Sequence, residues 1–234
     1  MPAVPPERVW VAMQLGAIFD MDGVLVDSND AHFQAFRRIG AELGRDFSDA
    51  ELQQTFGMHN NQIFPLLLKE ALTQQRIEQL ADQKEHYYRE LARTSLQPIP
   101  GALALFAALR SAGWKVAIGS SGPARNVRLA IEVLGIGAEL DAVVTGDDIH
   151  HGKPAPDVFL LCLERLGLPA AQCVVLEDAP QGVTAALAAN IPAVALTSSR
   201  PAALLGHAQL VVDHLAALDP PRLAQIIAAG CRPN

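Results

Sequence analysis

From Gly101 onward short apolar runs, "WKVAIG", "DAVVTG", "CVVLE", "PAVALT" and "QLVVD", alternate with longer stretches such as "ALALFAALRSAG" and "DVFLLCLERLG". Runs this short and this continuously apolar are the signature of strands buried on both faces, and the intervening stretches have helical periodicity. The rhythm therefore predicts an α/β chain whose parallel sheet is covered by helices on both sides. Gly113 and Gly167 stand as helix stops behind last turns that contain arginine. Between about Asn29 and Leu96 the character changes: no β-branched run occurs, and "AHFQAFRRIGAELG", "NQIFPLLLKEAL" and "RIEQLADQKEHYYRELART" are helical and polar. The first strand, "AIF", is thereby separated from the rest of its sheet by a helical insert. That insert should sit above the carboxyl ends of the strands, where open α/β sheets bind ligands.

Composition narrows the function classes. Half of the 234 residues are hydrophobic, enough to bury a substantial core, and the formal charge is −7. Surfaces that track phosphate backbones are basic, so a nucleic-acid partner is not expected. The longest apolar candidate, "VWVAMQLGAIF", is broken by Gln14 and falls short of a membrane span, and the first residues lack the order of a secretory signal, so the expectation is a cytoplasmic protein without a membrane partner. Cys162, Cys173 and Cys231 are an odd number without C-x-x-C spacing and read as free, buried thiols. His59, His150 and His151 read as polar loop residues rather than metal ligands.

Polar residues collect directly behind the strands. Asp20 and Asp22 end the first; two apart on an extended backbone, they point the same way, with Met21 opposite. Ser120 and Ser121 follow "WKVAIG", a setting in which a hydroxyl and backbone N–H groups can cradle a phosphate. Lys153 follows "DAVVTG", and Glu177 and Asp178 end "CVVLE". Each has a plainer reading: the aspartates as turn and cap residues, Ser120 and Asp178 as helix caps, Lys153 as a solvated surface charge. Taken together they place at least four acids, one lysine and hydroxyls at one rim of one sheet. Such an excess of carboxylates calls for a cation, and an all-oxygen set suits a hard one, Mg²⁺ before Zn²⁺.

"DMDGVLVDS", the serine behind the second strand, "GKPAPD" and "LEDAPQG" resemble, in order, the four motifs of the haloacid dehalogenase-like superfamily. The likeness is greatest to its helical-capped phosphatases and β-phosphoglucomutase-like members. The resemblance implies a Rossmann-like, doubly wound parallel sheet core over 13–28 and 98–234, with an inserted α-helical cap over 29–97. It further implies that Asp20 is the nucleophile that becomes an aspartyl-phosphate and that Asp22 is the general acid/base. Ser120, Ser121 and Lys153 would hold the phosphoryl group. Asp20, Asp178 and the main-chain carbonyl of Asp22 would bind Mg²⁺, with Glu177 at the outer edge of that site. Because Asp22 must carry a proton when the leaving group departs, neighbouring acids are expected to raise its proton affinity.

The same resemblance frames the choice of reaction. Asp22 and the Glu177–Asp178 pair favour phosphate over halocarbon chemistry. His32 falls where β-phosphoglucomutases have a histidine facing the acid/base, and Lys84 with Tyr88 is similar to a cap K-x-x-x-Y. Asn60, however, stands where that family has a phosphate-binding arginine. Hydrolysis of a small phosphomonoester, a sugar phosphate or related metabolite, is therefore the expected activity. The alternatives are a phosphomutase and a non-catalytic phosphate-binding protein on the same fold. Selectivity is expected from cap residues: Met58, His59, Asn60, Asn61 and Lys84, with His32. A monomer is the default for a capped core of this size.

Overall fold

The structure is a computed structural model that describes residues 13–55 and 60–230, the side chains of Asn60 and Asn61 excepted. Met58, His59, the side chains of Asn60 and Asn61, and Cys231 therefore lie outside the described residues. The chain opens with β1 (Gly16–Phe19) and β2 (Val26–Asp27), then runs through α1 (Asn29–Glu42), α2 (Asp49–Gln54), α3 (Asn60–Leu68) and α4 (Gln74–Ser95) to β3 (Gln97–Pro98). There follow α5 (Ala102–Ser111), β4 (Lys115–Gly119), α6 (Ala124–Leu134), β5 (Ala142–Val144), α7 (Asp157–Leu166), β6 (Cys173–Glu177) and α8 (Pro180–Ala188). β7 (Ala193–Leu196), α9 (Ala202–Leu205), β8 (Leu210–Val212) and α10 (Pro220–Ala229) complete it.

Six strands form a parallel sheet in the order β5-β4-β1-β6-β7-β8. The strand pattern of the sequence follows directly from double burial. Ala17 and Phe19 of β1, with Val174 and Leu176 of β6, pack into the layer that holds α5, α6 and α10. Ile18, Cys173 and Val175 face the opposite layer, built on α7 and α8. Period-two alternation sends residues to two apolar sides, so no polar position interrupts a strand. The chain leaves β1 toward β4 and leaves β6 toward β7, so the topological switch lies between β1 and β6, where an open α/β sheet forms its ligand crevice.

The insert is helical, as its pattern predicts: α1 packs along α4, and Phe36 meets Phe64 edge-on with ring centroids 5.8 Å apart. It leaves and re-enters the core through a two-residue antiparallel ribbon, β2 with β3, in which Val26 pairs with Pro98. Two-residue strands have no readable periodicity, and the sequence pattern does not predict them. The stops are as expected: Gly113 and Gly167 take positive φ, +79° and +65°, a conformation that costs glycine little. Cys162 and Cys173 are buried free thiols, and burial pushes both up to about 12. His151 is an exposed loop residue, although it does have a carboxylate neighbour, Asp157 Oδ2 at 3.1 Å. No helix among the described residues is long and apolar enough to cross a membrane.

Candidate active site

β1 ends at Phe19, and the backbone N–H of Asp20 bonds to Leu176 O at 2.9 Å, so Asp20 stands at the switch point itself. The chain then turns tightly, with Leu25 and Val26 N–H both returning to Met21 O, which brings Asp22 back beside Asp20. Gly23, at φ +77°, is required there: a Cβ at this position would lie 2.0 Å from Asp178 Oδ2. Four further strand ends converge on the same cavity, of about 290 Å³, which Asp20, Asp22, Ser120, Ser121, Lys153, Glu177 and Asp178 all line.

The plainer readings of these residues do not fit their surroundings. Ala179 and Pro123, not Asp178 and Ser120, occupy the caps of α8 and α6. Lys153 is nearly buried, its Nζ 2.5 Å from Asp20 Oδ1 and 2.6 Å from Glu177 Oε1. Burial alone would favour its neutral amine, but the charges of Asp20 and Glu177 outweigh that and hold it firmly protonated. Ser120 Oγ accepts from Gly122 N at 3.0 Å, whereas Ser121 Oγ is shielded from solvent and has no hydrogen-bond partner among the described residues.

Asp20, Glu177 and Asp178 bring carboxylate oxygens within 4.8 Å of one another. Burial, together with Glu177 and Asp22, pushes Asp20 up to about 7 despite the opposing Lys153 ammonium, and burial with Glu177 and Asp20 likewise raises Asp178. Three buried carboxylates against one ammonium leave negative charge uncompensated, so a hard cation fits this donor set. Glu177 differs from its neighbours in being fully engaged. Its Oε1 holds Lys153, and its Oε2 accepts from Asp178 N at 2.7 Å and Ala179 N at 2.8 Å. The side chain of Asp22 is not part of this cluster among the described residues.

Asp22 instead faces the cap. Ser28 Oγ donates to its Oδ1 at 2.5 Å, and His32 Nε2 lies 3.9 Å from the same oxygen. Lys84 Nζ is 2.8 Å from His32 Nδ1; an ammonium can only donate, so the imidazole proton is left on Nε2, toward Asp22. Burial would raise Asp22, but the hydrogen bonds of His32 and Ser28, with the Lys84 ammonium behind them, prevail, and its carboxyl sits below the usual range. This corrects the expectation that neighbouring acids raise it. Spacing alone counts the acids and misses the donors that folding brings from α1 and α4.

Lys84 is buried, lines the cavity itself, and is committed to Glu85 Oε1 at 2.8 Å as well as to His32, whose imidazole also stacks on Tyr88 at 4.0 Å. Glu85 in turn accepts from Asn126 Nδ2 at 2.6 Å, and Asn126 Oδ1 accepts from Arg89 at 3.0 Å, which carries the network from the cap helix α4 to α6 of the core. Sequence reasoning missed Glu85 and Asn126, which only tertiary contact unites. It also missed the loop after β7, where Ser198 donates to Gly23 O, Ser199 Oγ lies 3.3 Å from Asp178 O, and Arg200 lines the cavity. The signal for that loop, the polar string "TSSR" directly behind an apolar run, was present.

Residues 17–196 match the family model described as haloacid dehalogenase-like hydrolase. The fructose-1-phosphate phosphatase YqaB of Escherichia coli is 32% identical over 183 residues, 76% of this chain and 94% of that protein. A phosphorylated carbohydrates phosphatase of Thermotoga maritima is 30% identical over 178 residues, 74% of this chain and 81% of that protein. In fold, a haloacid dehalogenase hydrolase of family IA, variant 3, from Entamoeba histolytica superposes with a TM-score of 0.85 at 23% identity, covering 92% of this chain and all of the other. A switch-point aspartate, a buried lysine behind it and a carboxylate cluster thus recur in a chain that matches the family over most of its length: the protein belongs to the haloacid dehalogenase-like hydrolases.

Proposed function

We propose that this protein is a Mg²⁺-dependent phosphatase that hydrolyses a small sugar or polyol phosphate through phosphorylation of Asp20. The observation that carries the reading is the Lys153 ammonium spanning Asp20 and Glu177 at 2.5 and 2.6 Å at the edge of the carboxylate cluster. A carboxylate does not approach a phosphate dianion unaided; a fixed cation on the nucleophile's own oxygen offsets that repulsion. Asp20, Asp178 and the main-chain carbonyl of Asp22 would hold Mg²⁺. When bound, it would supply charge neutralisation of the phosphoryl oxygens.

In the first half-reaction an Asp20 carboxylate oxygen forms a bond to phosphorus as the P–O bond to the sugar breaks, and Asp22 delivers a proton to the departing alkoxide. In the second, Asp22 takes a proton from water, the water oxygen bonds to phosphorus, and the acyl-phosphate bond opens to release inorganic phosphate and regenerate Asp20. The Ser28 and His32 contacts hold Asp22 anionic, the state the second half-reaction needs. An arriving phosphate, itself anionic, opposes those contacts and favours the protonated form that the first half-reaction needs. Ser120 and the unpaired Ser121 hydroxyl would receive phosphoryl oxygens, and Glu177 would fix Lys153 rather than bind metal.

The substrate class rests on cavity size and on relatives. A space of about 290 Å³ admits a metabolite and not a macromolecule, and the cap contributes Phe33, Phe36, Thr55 and Ile63 to its walls. The curated relatives include a fructose-1-phosphate phosphatase and a hexitol phosphatase from Escherichia coli, which supports a sugar or polyol leaving group here. The test is phosphate release from fructose 1-phosphate, hexitol phosphates, nucleoside monophosphates and β-glucose 1-phosphate, with and without Mg²⁺, in wild type and Asp20→Asn. Mg²⁺-dependent release abolished in Asp20→Asn is expected. Isomerisation of glucose 1-phosphate without release would replace the hydrolase reading by a mutase, and binding without turnover would leave a phosphate-binding protein.

A further inference from the structure

We propose a second ligand site: the groove between α4 and α6, on the outer side of the cap–core contact, binds a small, multiply phosphorylated molecule that bridges cap and core. On α4, His86, Arg89 and Arg93 fall at i, i+3 and i+7, and on α6, Arg125, Arg128 and Glu132 repeat the spacing. Residues so spaced share one helix face. The two faces, floored by Leu129, enclose an open depression of about 370 Å³ whose lining is separate from that of the catalytic cavity.

This is four arginines in one small groove of a chain whose formal charge is −7. Little within the protein neutralises them. His86 is paired to Glu90, Arg89 is tied to the neutral Asn126, and Arg128 Nε reaches Ala124 O at 3.4 Å. The side chains of Arg93 and Arg125 are exposed and have no hydrogen-bond or ion-pair partner among the described residues, of which Glu132 is the one acid lining the groove. Guanidinium groups held near one another repel, and an anion between them removes that repulsion. Their planar forks match phosphate oxygens two at a time, which favours a compact ligand with several phosphate groups. Concavity and an acidic chain argue against an extended nucleic acid, which needs a continuous basic face.

The position gives the site its bridging character. Arg89 and Arg93 belong to the cap helix, Arg125 and Arg128 to the core, and Arg89 already touches the Asn126–Glu85 link that continues to Lys84 and His32. A ligand here draws α4 against α6.

The test uses isothermal titration calorimetry of the full chain with inorganic tripolyphosphate in buffer free of divalent metal, so that it does not depend on the catalytic reading. Saturable binding is expected that weakens by about tenfold or more in Arg93→Gln and, separately, in Arg125→Gln, as loss of a charge-assisted contact predicts. It should persist in Ser121→Ala, at the catalytic cavity, and in Arg45→Gln/Arg76→Gln, which removes two exposed arginines elsewhere. Both tested arginines are exposed, so glutamine leaves the packing intact. No binding, unchanged affinity in both single variants, loss confined to one helix, or an equal loss in either control would overturn the proposal.

Discussion

Gly182 lies in the first turns of α8, where a helix ordinarily gains from alanine: replacing an interior glycine is worth roughly 1 kcal/mol in propensity. Here the opposite sign is expected. A Cβ on Gly182 would fall 1.6 Å from Glu177 Oε1 and 1.9 Å from its carboxyl carbon. The carboxylate has nowhere to go, being 1% exposed and held by Lys153 at 2.6 Å, Asp178 N at 2.7 Å and Ala179 N at 2.8 Å. Either α8 moves off the sheet, an overpacking cost of about 1–3 kcal/mol, or Glu177 rotates away and gives up hydrogen bonds worth about 1.5–3 kcal/mol each, since all three involve a charge. Set against a propensity gain of roughly 1 kcal/mol, the cheaper of the two routes leaves Gly182→Ala destabilised by up to about 2 kcal/mol.

Urea unfolding reads the result through the midpoint at unchanged slope. Gly206→Ala is the control, because φ there is −63° and a Cβ meets nothing within 4 Å; it should be neutral or stabilising by up to about 1 kcal/mol. Turnover of a chromogenic phosphomonoester should fall in Gly182→Ala where Glu177 gives way, because Lys153 then loses the partner that aims it at Asp20. A Gly182→Ala protein as stable as wild type would refute the packing argument. A destabilised protein with full turnover would show that α8 yields while Glu177 keeps its hold on Lys153.

Lys153→Met should cost about 3–5 kcal/mol, the range for breaking a buried ion pair, and added Mg²⁺ should recover more of the unfolding midpoint than it adds to wild type, because the carboxylates have lost their only close ammonium among the described residues. Ser121→Ala removes a shielded, unpaired hydroxyl and should leave stability unchanged or raised by up to about 1 kcal/mol, while the inhibition constant of inorganic phosphate rises; a loss of stability would show that the hydroxyl is paired within the fold. Asp148 is held down to about 2 by the Arg165 hydrogen bond and by Thr145, from an ordinary 3.8. A depressed carboxylate stabilises above its unfolded pKa and loses that contribution as pH falls toward the folded one, so Asp148→Asn should cost less than about 1 kcal/mol at pH near 7 for so exposed a pair. Melting curves should show the gap narrowing by pH of about 3.

What was legible in the chain follows from which forces act locally. Strands buried on both faces must be apolar throughout, so β4, β6 and β7 stand out as runs, and polar residues immediately behind them fall at the carboxyl edge by geometry alone. Ser120 and Asp178 were found that way, as was Asp20 behind β1, whereas Lys153 sits in the longer loop after β5. The β2–β3 ribbon was not, because two residues per strand carry no period. Nor was the low proton affinity of Asp22, since its donors come from Ser28 in the following loop and His32 in α1, with Lys84 of α4 behind them. The Glu85–Asn126 contact joins segments on either side of the β3–α5–β4 stretch, and neither residue type signals the other.

Charge balance separates the polar networks of this protein into two kinds. In the cap, Lys84 is answered by Glu85, whose carboxyl burial would raise but whose pairing with Lys84 lowers it, and the remaining oxygen is taken by Asn126. Lys84, Glu85 and Asn126 are each answered within the fold and position His32 against Asp22, while the buried Tyr88 hydroxyl beside them has no hydrogen-bond partner among the described residues. At the switch point the same accounting does not close: one ammonium, shared by Asp20 and Glu177, faces three carboxylates, and burial together with the excess negative charge pushes Asp20 and Asp178 upward. Burying uncompensated charge is unfavourable, and the surrounding apolar sheet layers have to outweigh it. A fold selected for stability alone would pair or remove those acids, as it has done with Glu85. Their presence beside an unpaired serine hydroxyl and a fixed lysine fits the proposed site, whose missing charges would arrive with the ligand: a cation for Asp20 and Asp178 and a phosphate for Lys153 and Ser121.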